Sequence, residues 1–416
     1  MRSPVSQFIA IVTLLGCVIA CSPEGERPRP QRISVSPLPS PTGPNAAEPF
    51  VSFSDRKTLI LSWLERDADS VTTTLRIATR DSSGAWSAAG DIVRAKDLFV
   101  NWADFPSVVP LASGKLLAHW LQRNGTGRYS YDVRLSESLD GGRTWSPSSI
   151  PHAPGIPAEH GFVTLLPRAD STADILFLNG SPAPKGAPGE RGPPMRLALA
   201  RWTAAGAVAG PEETLDMRTC DCCQTAAAVT SRGPVILYRD RSESETRDIY
   251  LRRFVSNAWT EAKPLHADGW VIDACPVNGP AISAAGEMVA AAWFTGARDT
   301  AKVQLVFSTD AGATFGSPIR IDGGMPSGRV DVELLDGGDA LVTWIERMGK
   351  DSAEVRARIV RADGTSEAPL TVSPLSGGRA SGFPRMARRG NEIVLAWTIP
   401  GTRSEVRMAS LAISPR

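Results

Sequence analysis

Tyrosine and histidine are scarce in this chain, with four of each in 416 residues. The tyrosines are Tyr129, Tyr131, Tyr238 and Tyr250, so none follows position 250. An excess of one charge is also missing. Lys and Arg number 45 against 44 Asp and Glu, a net charge of +1. That balance excludes a general electrostatic pull toward nucleic acid or an anionic membrane. Beyond the leader no apolar run approaches the length of a membrane span. No phosphate-cradling Gly loop, Ser-His-Asp order or basic stripe with interleaved aromatics is present. Cysteine is rare and uneven. Cys17 and Cys21 lie in the leader, three more crowd into "TCDCCQT" (219–225), and Cys275 follows in "DACPVNGP".

The N-terminus carries an address. Arg2 precedes the apolar run "FIAIVTLLGCVIA", which has signal-peptide length. The run closes on "VIAC", a lipobox-like sequence with small Ala20 before Cys21. Residues 1–21 therefore read as a lipoprotein signal peptide with Cys21 as the lipidated residue. Ser22 is not an inner-membrane retention signal of the Asp type, so the expected location is the outer membrane, facing the periplasm or the outside. Residues 22–45 are rich in Pro, Ser and charge and read as a tether. Within it "RISVS" alternates like a strand, and 31–37 is a candidate closing strand. Export permits disulfides.

The remaining residues, 46–416, repeat one pattern. "FVSFSDRKTLILSWLER", "SVVPLASGKLLAHWLQR" and "FVTLLPRADSTADILFLNG" are each two apolar runs around a polar turn. "AAAVTSRGPVILYRDR", "AISAAGEMVAAAWFTG", "DVELLDGGDALVTWIER" and "FPRMARRGNEIVLAWTIP" continue the series. Such turns between apolar runs signal hairpins. A period in the fifties with four short strands predicts a single all-β propeller. One twisted four-stranded sheet cannot bury both faces alone, whereas blades around an axis bury each other's. The second strands are apolar at nearly every position, as sheets covered on both sides require. The count is seven blades, with six as the alternative. The seventh, from Phe383, shows three strands before the chain ends, and 31–37 would supply its fourth.

Between strands three and four two units carry a sharper motif. "SLDGGRTW" (138–145) and "STDAGATF" (308–315) both match S-x-D-x-G-x-T-[WF]. Asp suits the turn backbone, Gly the positive φ, and the aromatic a plug between sheets. These motifs resemble the Asp-box, or BNR, repeats of the sialidase superfamily, and the resemblance in pattern covers nearly all of 46–416. It implies that Asp140 and Asp310 are structural and lie on the face opposite the active site. It also implies an exo-sialidase-type glycoside hydrolase acting on an anionic sugar or glycan. The family builds six blades, uses a "FRIP"-like stretch and takes its nucleophilic tyrosine from a late blade. This chain has neither that stretch nor a late tyrosine.

Propeller geometry sorts the polar residues. Loops leading into strand one, and out of strand two, lie opposite the Asp-boxes, and loops on a rigid scaffold carry function. These loops gather Asp104, Glu159, His160, Arg329, Asp331 and Arg385, with Arg239, Asp240 and Arg241 from blade four. Guanidinium groups from several blades suit a carboxylate, which they bind in a fork. Sialidases are similar, with an arginine cluster on the sugar carboxylate and an acidic proton donor; by position Arg239, Arg329 and Arg385 are expected on the anion and Asp104 or Asp240 in acid–base work, with Glu159 a further catalytic candidate. The alternative is a non-catalytic propeller that binds a ligand or a metal. Cys220, Cys222 and Cys223 lead into blade four and Cys275 into blade five, so they are neighbours in space. Three readings stay open for them: a disulfide from Cys275 to Cys222 or Cys223, which is preferred; a zinc or copper site with His160 or Asp221; or a redox pair in C-x-x-C. No cofactor is otherwise required. The expected partner is a glycan, with no nucleic acid, membrane contact only through the lipid, and a monomeric chain.

Overall fold

Seven antiparallel sheets follow one another along the chain in a computed structural model that describes Met1 and residues 33–54, 58–181 and 195–414. The expected signal peptide, Cys21 and most of the tether lie outside the described residues, as does most of the Gly/Pro-rich stretch 179–195. Each sheet is a hairpin pair running outward from the axis. Blade one is built from Ala46–Phe53, Leu59–Arg66, Thr73–Arg80 and Gly90–Ala95. Blades three and six repeat this plan from His160–Pro167 and Pro326–Leu334. Blade five does so from Ala281–Ala285, with an outer strand of only two residues, Ile319–Arg320.

Two blades are reduced at the outer edge. Blade two has three strands, Ser107–Pro110, Leu116–Arg123 and Tyr131–Ser138, and a single bridge from Leu135 to Ser149 in place of a fourth. Pro147, Pro151, Pro154 and Pro157 crowd that outer segment, and each lacks the N–H that a ladder needs. In blade four the outer strand splits into Ala258–Trp259 and Lys263–Pro264.

The ring closes through the N-terminal strand. Ile33–Leu38 pairs antiparallel with Glu405–Ile413, in register from Ile33 opposite Ile413 to Leu38 opposite Met408. It is the fourth strand of blade seven, after Arg385–Arg389 and Glu392–Ile399. Ile33 is buried there in one core cluster with Leu395, Trp397 and Leu411. The first and last strands of the propeller thus share one sheet.

The second strands form the core. Trp63, Trp293 and Trp344 are fully buried, and Trp120 and Trp397 nearly so. Side chains two apart share a strand face. Hence Trp63 donates its indole N–H to Glu65, Trp120 to Gln122 and Trp344 to Glu346. At the Asp-box turns, Asp140 accepts from the Thr144 N–H at 2.9 Å and the Thr144 hydroxyl at 2.7 Å. Asp310 makes the same two bonds to Thr314. Both carboxylates are held below their usual range by these bonds.

A second ring of bonds joins the blades near the axis. Ser52 donates to the Val108 carbonyl, between blades one and two. Asp104 accepts from Phe162 N–H, and Thr164 donates to the Thr225 carbonyl. Gln224 accepts from Gly279 N–H, Asn278 from Arg329 N–H, and Asp331 from Met386 N–H. Thr398 accepts from Glu48 N–H and completes the circle. Every adjacent pair of blades carries such a tie.

Candidate functional site

The ties surround an axial cavity of about 170 Å³. Phe50, Asp104, Phe105, Thr164, Gln224, Asp331, Phe383 and Arg385 line it, together with strand-one backbone. The strands that form it are bent by bulges. Pairing shifts between Ala47 and Phe50 in blade one and between Gly328 and Asp331 in blade six, and opposite Gly161 in blade three. At the bulges Glu48, Phe162 and Arg329 have positive φ of 49°, 54° and 56°. A bulge re-aims side chains and commonly lies beside a functional site.

Asp104 is, with Asp331, one of two buried acids on this cavity. Its Oδ1 accepts from Phe162 N–H at 2.7 Å, and its Oδ2 lies 3.2 Å from the Tyr131 hydroxyl. The same hydroxyl lies 2.9 Å from Glu159 Oε1. Tyr131 has one proton to donate and faces two carboxyls, so an acid proton must fill the other contact. Burial pushes Asp104 up to about 7, although the Phe162 and Tyr131 bonds oppose it. Burial likewise raises Glu159 to about 8, the Tyr131 bond opposing and the nearby Asp104 charge adding to it. Asp104, Tyr131 and Glu159 therefore form a chain that holds protons at neutral pH and runs from the cavity to the partly exposed Glu159. Gly161 makes room for it: a Cβ there would sit 2.0 Å from Asp104 Oδ2.

Arg385 is the cation of the cavity. Its guanidinium lies 5.5 Å from the Phe50 ring centroid and 5.6 Å from that of Phe105. Its Nε is 3.6 Å from Asp331 Oδ2, an ion pair, yet has no hydrogen-bond partner among the described residues. Buried donors of this kind ordinarily have partners. Burial raises Asp331 despite the charge of Arg385. Above the cavity Trp102 stacks on Phe383 at 6.1 Å, and the Arg329 guanidinium lies 4.7 Å from the Trp102 ring.

The expected three-arginine convergence is corrected by the structure. Arg239 is fully buried and donates to the carbonyls of Asn278, Arg247 and Phe294, beside the Trp270 ring. Its long stem carries the guanidinium into the joint between blades four and five, away from the axis. Arg329 donates to the Ser381 hydroxyl and the Gly382 carbonyl, and burial brings it down to about 10. Only Arg385 of the three lines the cavity. Asp240 is also outside it, raised to about 7 by burial and by Asp216. Arg241 pairs with Glu245 at 3.0 Å. Tyr238 is core, with its hydroxyl donating to Asp216.

The sulfurs are divided. Cys222 is bonded to Cys275, with Cα atoms 6.1 Å apart. Cys220 and Cys223 are free, buried thiols. His160 does not join them, which corrects the expected metal set. It stacks on His152 with ring centroids 3.7 Å apart, and its nitrogens face the Tyr131 carbonyl and the Ser181 hydroxyl.

Sequence reading missed Tyr131 and the aromatic rim of Phe50, Trp102, Phe105 and Phe383. The rim had a signal: three of these aromatics sit in the polar segments "NWADFP" and "SGFPR". Tyr131 had none beyond its place at the start of a third strand.

No protein-family model matches the sequence, and no curated protein matches it. Solved structures share the fold. The GH93 alpha-L-arabinofuranosidase of Fusarium graminearum, solved with arabinobiose, superposes with a TM-score of 0.50 at 12% identity, over 89% of this chain and 93% of that one. Trypanosoma rangeli sialidase, solved with the inhibitor DANA, superposes at 0.49 and 12% identity, over 79% of this chain and 57% of that one.

Proposed function

We propose that the axial cavity binds the terminal residue of an acidic glycan and cleaves its glycosidic bond with acid assistance. The observation that carries this reading is Arg385, whose guanidinium lines the cavity between two aromatic rings, its buried Nε facing Asp331 at 3.6 Å. A carboxylate meets such a donor in a fork, and the rings pack against the apolar face of a sugar. Asp104, on the same wall and raised to about 7, is the proton donor to the leaving oxygen. Tyr131 and Glu159 stand behind it as the route by which the proton is replaced. Asp331 orients Arg385. A cavity of about 170 Å³ is smaller than the roughly 300–1,000 Å³ of drug-sized ligand pockets, which favours one terminal sugar over an extended chain. The fold likeness to the arabinofuranosidase solved with arabinobiose is consistent with a glycan ligand, sialosides and uronides being the acidic candidates and arabinosides the neutral one. Lipidation at Cys21 would hold the propeller at the cell envelope, and a Cys21→Ser chain should lose its membrane association.

The test is turnover of fluorogenic sialosides, uronides and arabinosides by the full chain. Asp104→Asn should lower kcat at least ~100-fold, the usual range for a lost general acid, while ligand binding persists. Arg385→Ala should weaken acidic substrates and leave neutral ones unaffected. Binding without turnover would favour the non-catalytic reading, which gains from the engagement of Arg239 with carbonyls. Absence of both binding and turnover for all three classes would overturn the proposal.

A further inference from the structure

The four sulfurs lie outside the axial cavity and no part of the proposed reaction uses them. Their geometry is that of an exchange centre. Cys220 Sγ is 3.0 Å from Cys223 Sγ and 3.8 Å from Cys222 Sγ, which is bonded to Cys275. Cys220 and Cys223 are buried, whereas Cys275 is exposed. Arg247 places its Nη1 3.4 Å from Cys220 Sγ, and Arg239 adds a second nearby cation. We infer that these residues form a thiol–disulfide exchange centre that moves one disulfide between Cys222–Cys275 and Cys220–Cys223.

The step needs no outside oxidant. The Cys220 thiolate attacks Cys222 Sγ, a Cys220–Cys222 bond forms, and Cys275 leaves as a thiolate at the surface. The Cys223 thiolate then attacks Cys220 Sγ and displaces Cys222. One disulfide and two thiols are present at the start and at the end. The two protons lost by Cys220 and Cys223 are taken up by Cys222 and Cys275. Attack requires the thiolate. Burial raises the Cys220 thiol, but the Cys223 hydrogen bond and the charges of Arg239 and Arg247 outweigh it and bring it down to about 7. Burial and the neighbouring Cys220 raise Cys223, so Cys220 is the first nucleophile. The joint between blades four and five keeps other ties through either state. Gln224 accepts from Gly279 N–H, and Arg239 donates to the Asn278 carbonyl. The exchange therefore uncovers a thiol at Cys275 without opening the propeller.

The test is native alkylation of the full chain, purified without reductant, followed by mapping of the sulfur linkages by mass spectrometry. Cys275 should label slowly with iodoacetamide, and in the labelled molecules Cys220 and Cys223 should be joined. Cys220→Ser should slow Cys275 labelling at least tenfold. Cys223→Ser should trap the Cys220–Cys222 bond with Cys275 labelled. A Cys275 that never labels, one that labels equally fast in Cys220→Ser, or a chain with two disulfides and no thiol would each overturn the inference. If the serine variants do not fold, the linkage map of the unaltered chain decides, because the proposal requires a Cys220–Cys223 population.

Discussion

Replacing Asp104 by Asn separates the two tasks that the structure gives this residue. The amide keeps the shape of the carboxyl. Its oxygen can still accept from Phe162 N–H, where Asp104 accepts at 2.7 Å. Its NH₂ can donate to the Tyr131 oxygen, which then donates to Glu159 as before. What changes is the charge. Burial lifts the folded carboxyl from an ordinary 3.8 to about 7, so the folded chain keeps a proton that the unfolded chain releases. Stability from this group is fully present below about pH 4 and falls as pH rises to about 7, after which it is constant. At roughly 1.4 kcal/mol per pH unit the loss is about 4 kcal/mol. The substituted amide cannot ionise, so the variant should match the parent near pH 4 and exceed it by up to about 4 kcal/mol at pH 8. Removing the Asp104 charge also relieves Glu159, which that charge raises. Urea melts of both chains at half-unit steps from pH 4 to 8 give the difference, to which the relief of Glu159 adds in the same direction while the raised acids remote from Asp104 cancel. A constant difference across the range, or a variant less stable at pH 8 than at pH 4 relative to the parent, would refute the reasoning.

Other substitutions test other parts of the frame. Gly161→Ala puts a Cβ 2.0 Å from Asp104 Oδ2, so the carboxyl must move and lose a bond. A cost of about 2–5 kcal/mol is expected, seen in thermal melts and accompanied by loss of any turnover. Deleting residues 33–38 uncovers the edge of Glu405–Ile413 and exposes the cluster around Ile33. Burial of Ile33 alone contributes about 1.5–3 kcal/mol, so the deletion should lower the melting temperature and promote association through the bared edge; an unchanged melt and a monodisperse profile in light scattering would contradict the closure. Arg239→Met leaves the carbonyls of Asn278, Arg247 and Phe294 without this donor. It should destabilise by about 3–5 kcal/mol in denaturant melts, yet leave ligand affinity at the cavity unaltered.

The fold was legible because a propeller states itself seven times. Each hairpin repeats the same apolar second strand, and even the closing strand announces itself by alternation at Ile33 and Val35. Its boundaries were less clear, since the strand runs to Leu38 rather than to position 37. The missing fourth strand of blade two had a cause in plain view, the four prolines from Pro147 to Pro157. The site was half legible. Asp104 and Arg385 were expected on this face because the loops into strand one meet at the axis, and both line the cavity. Arg239 misled because a polar run at a strand end looks solvated, while a long side chain can turn inward and satisfy carbonyls of the next blade. Tyr131 was illegible: its partners Asp104 and Glu159 lie 27 and 28 residues away in opposite directions, and no local pattern encodes which face of a third strand meets them.

The ring of blade-to-blade ties raises the question of whether Asp104 and Asp331 serve only the joints. The bulges argue otherwise. Glu48, Phe162 and Arg329 hold positive φ, a conformation that glycine adopts freely and that other residues occupy at a cost of about 1–3 kcal/mol. A joint alone would be better served by glycine there, because the tie uses only the backbone N–H of each residue. The side chains at these positions serve different places: Glu48 lines a separate recess with Arg66 and Thr398, and Arg329 is held by Ser381 and Gly382. Phe162 lines the cavity, and Arg329 lies over Trp102 at its rim. Glu48 is buried with Oε2 unpartnered among the described residues, and burial raises it to about 7 despite Arg66. At Phe162 the strain accompanies a side chain that lines the cavity, at a place where the backbone alone would hold the blades. The joints therefore also fix Asp104 and Asp331, and through Asp331 the guanidinium of Arg385, on the cavity wall.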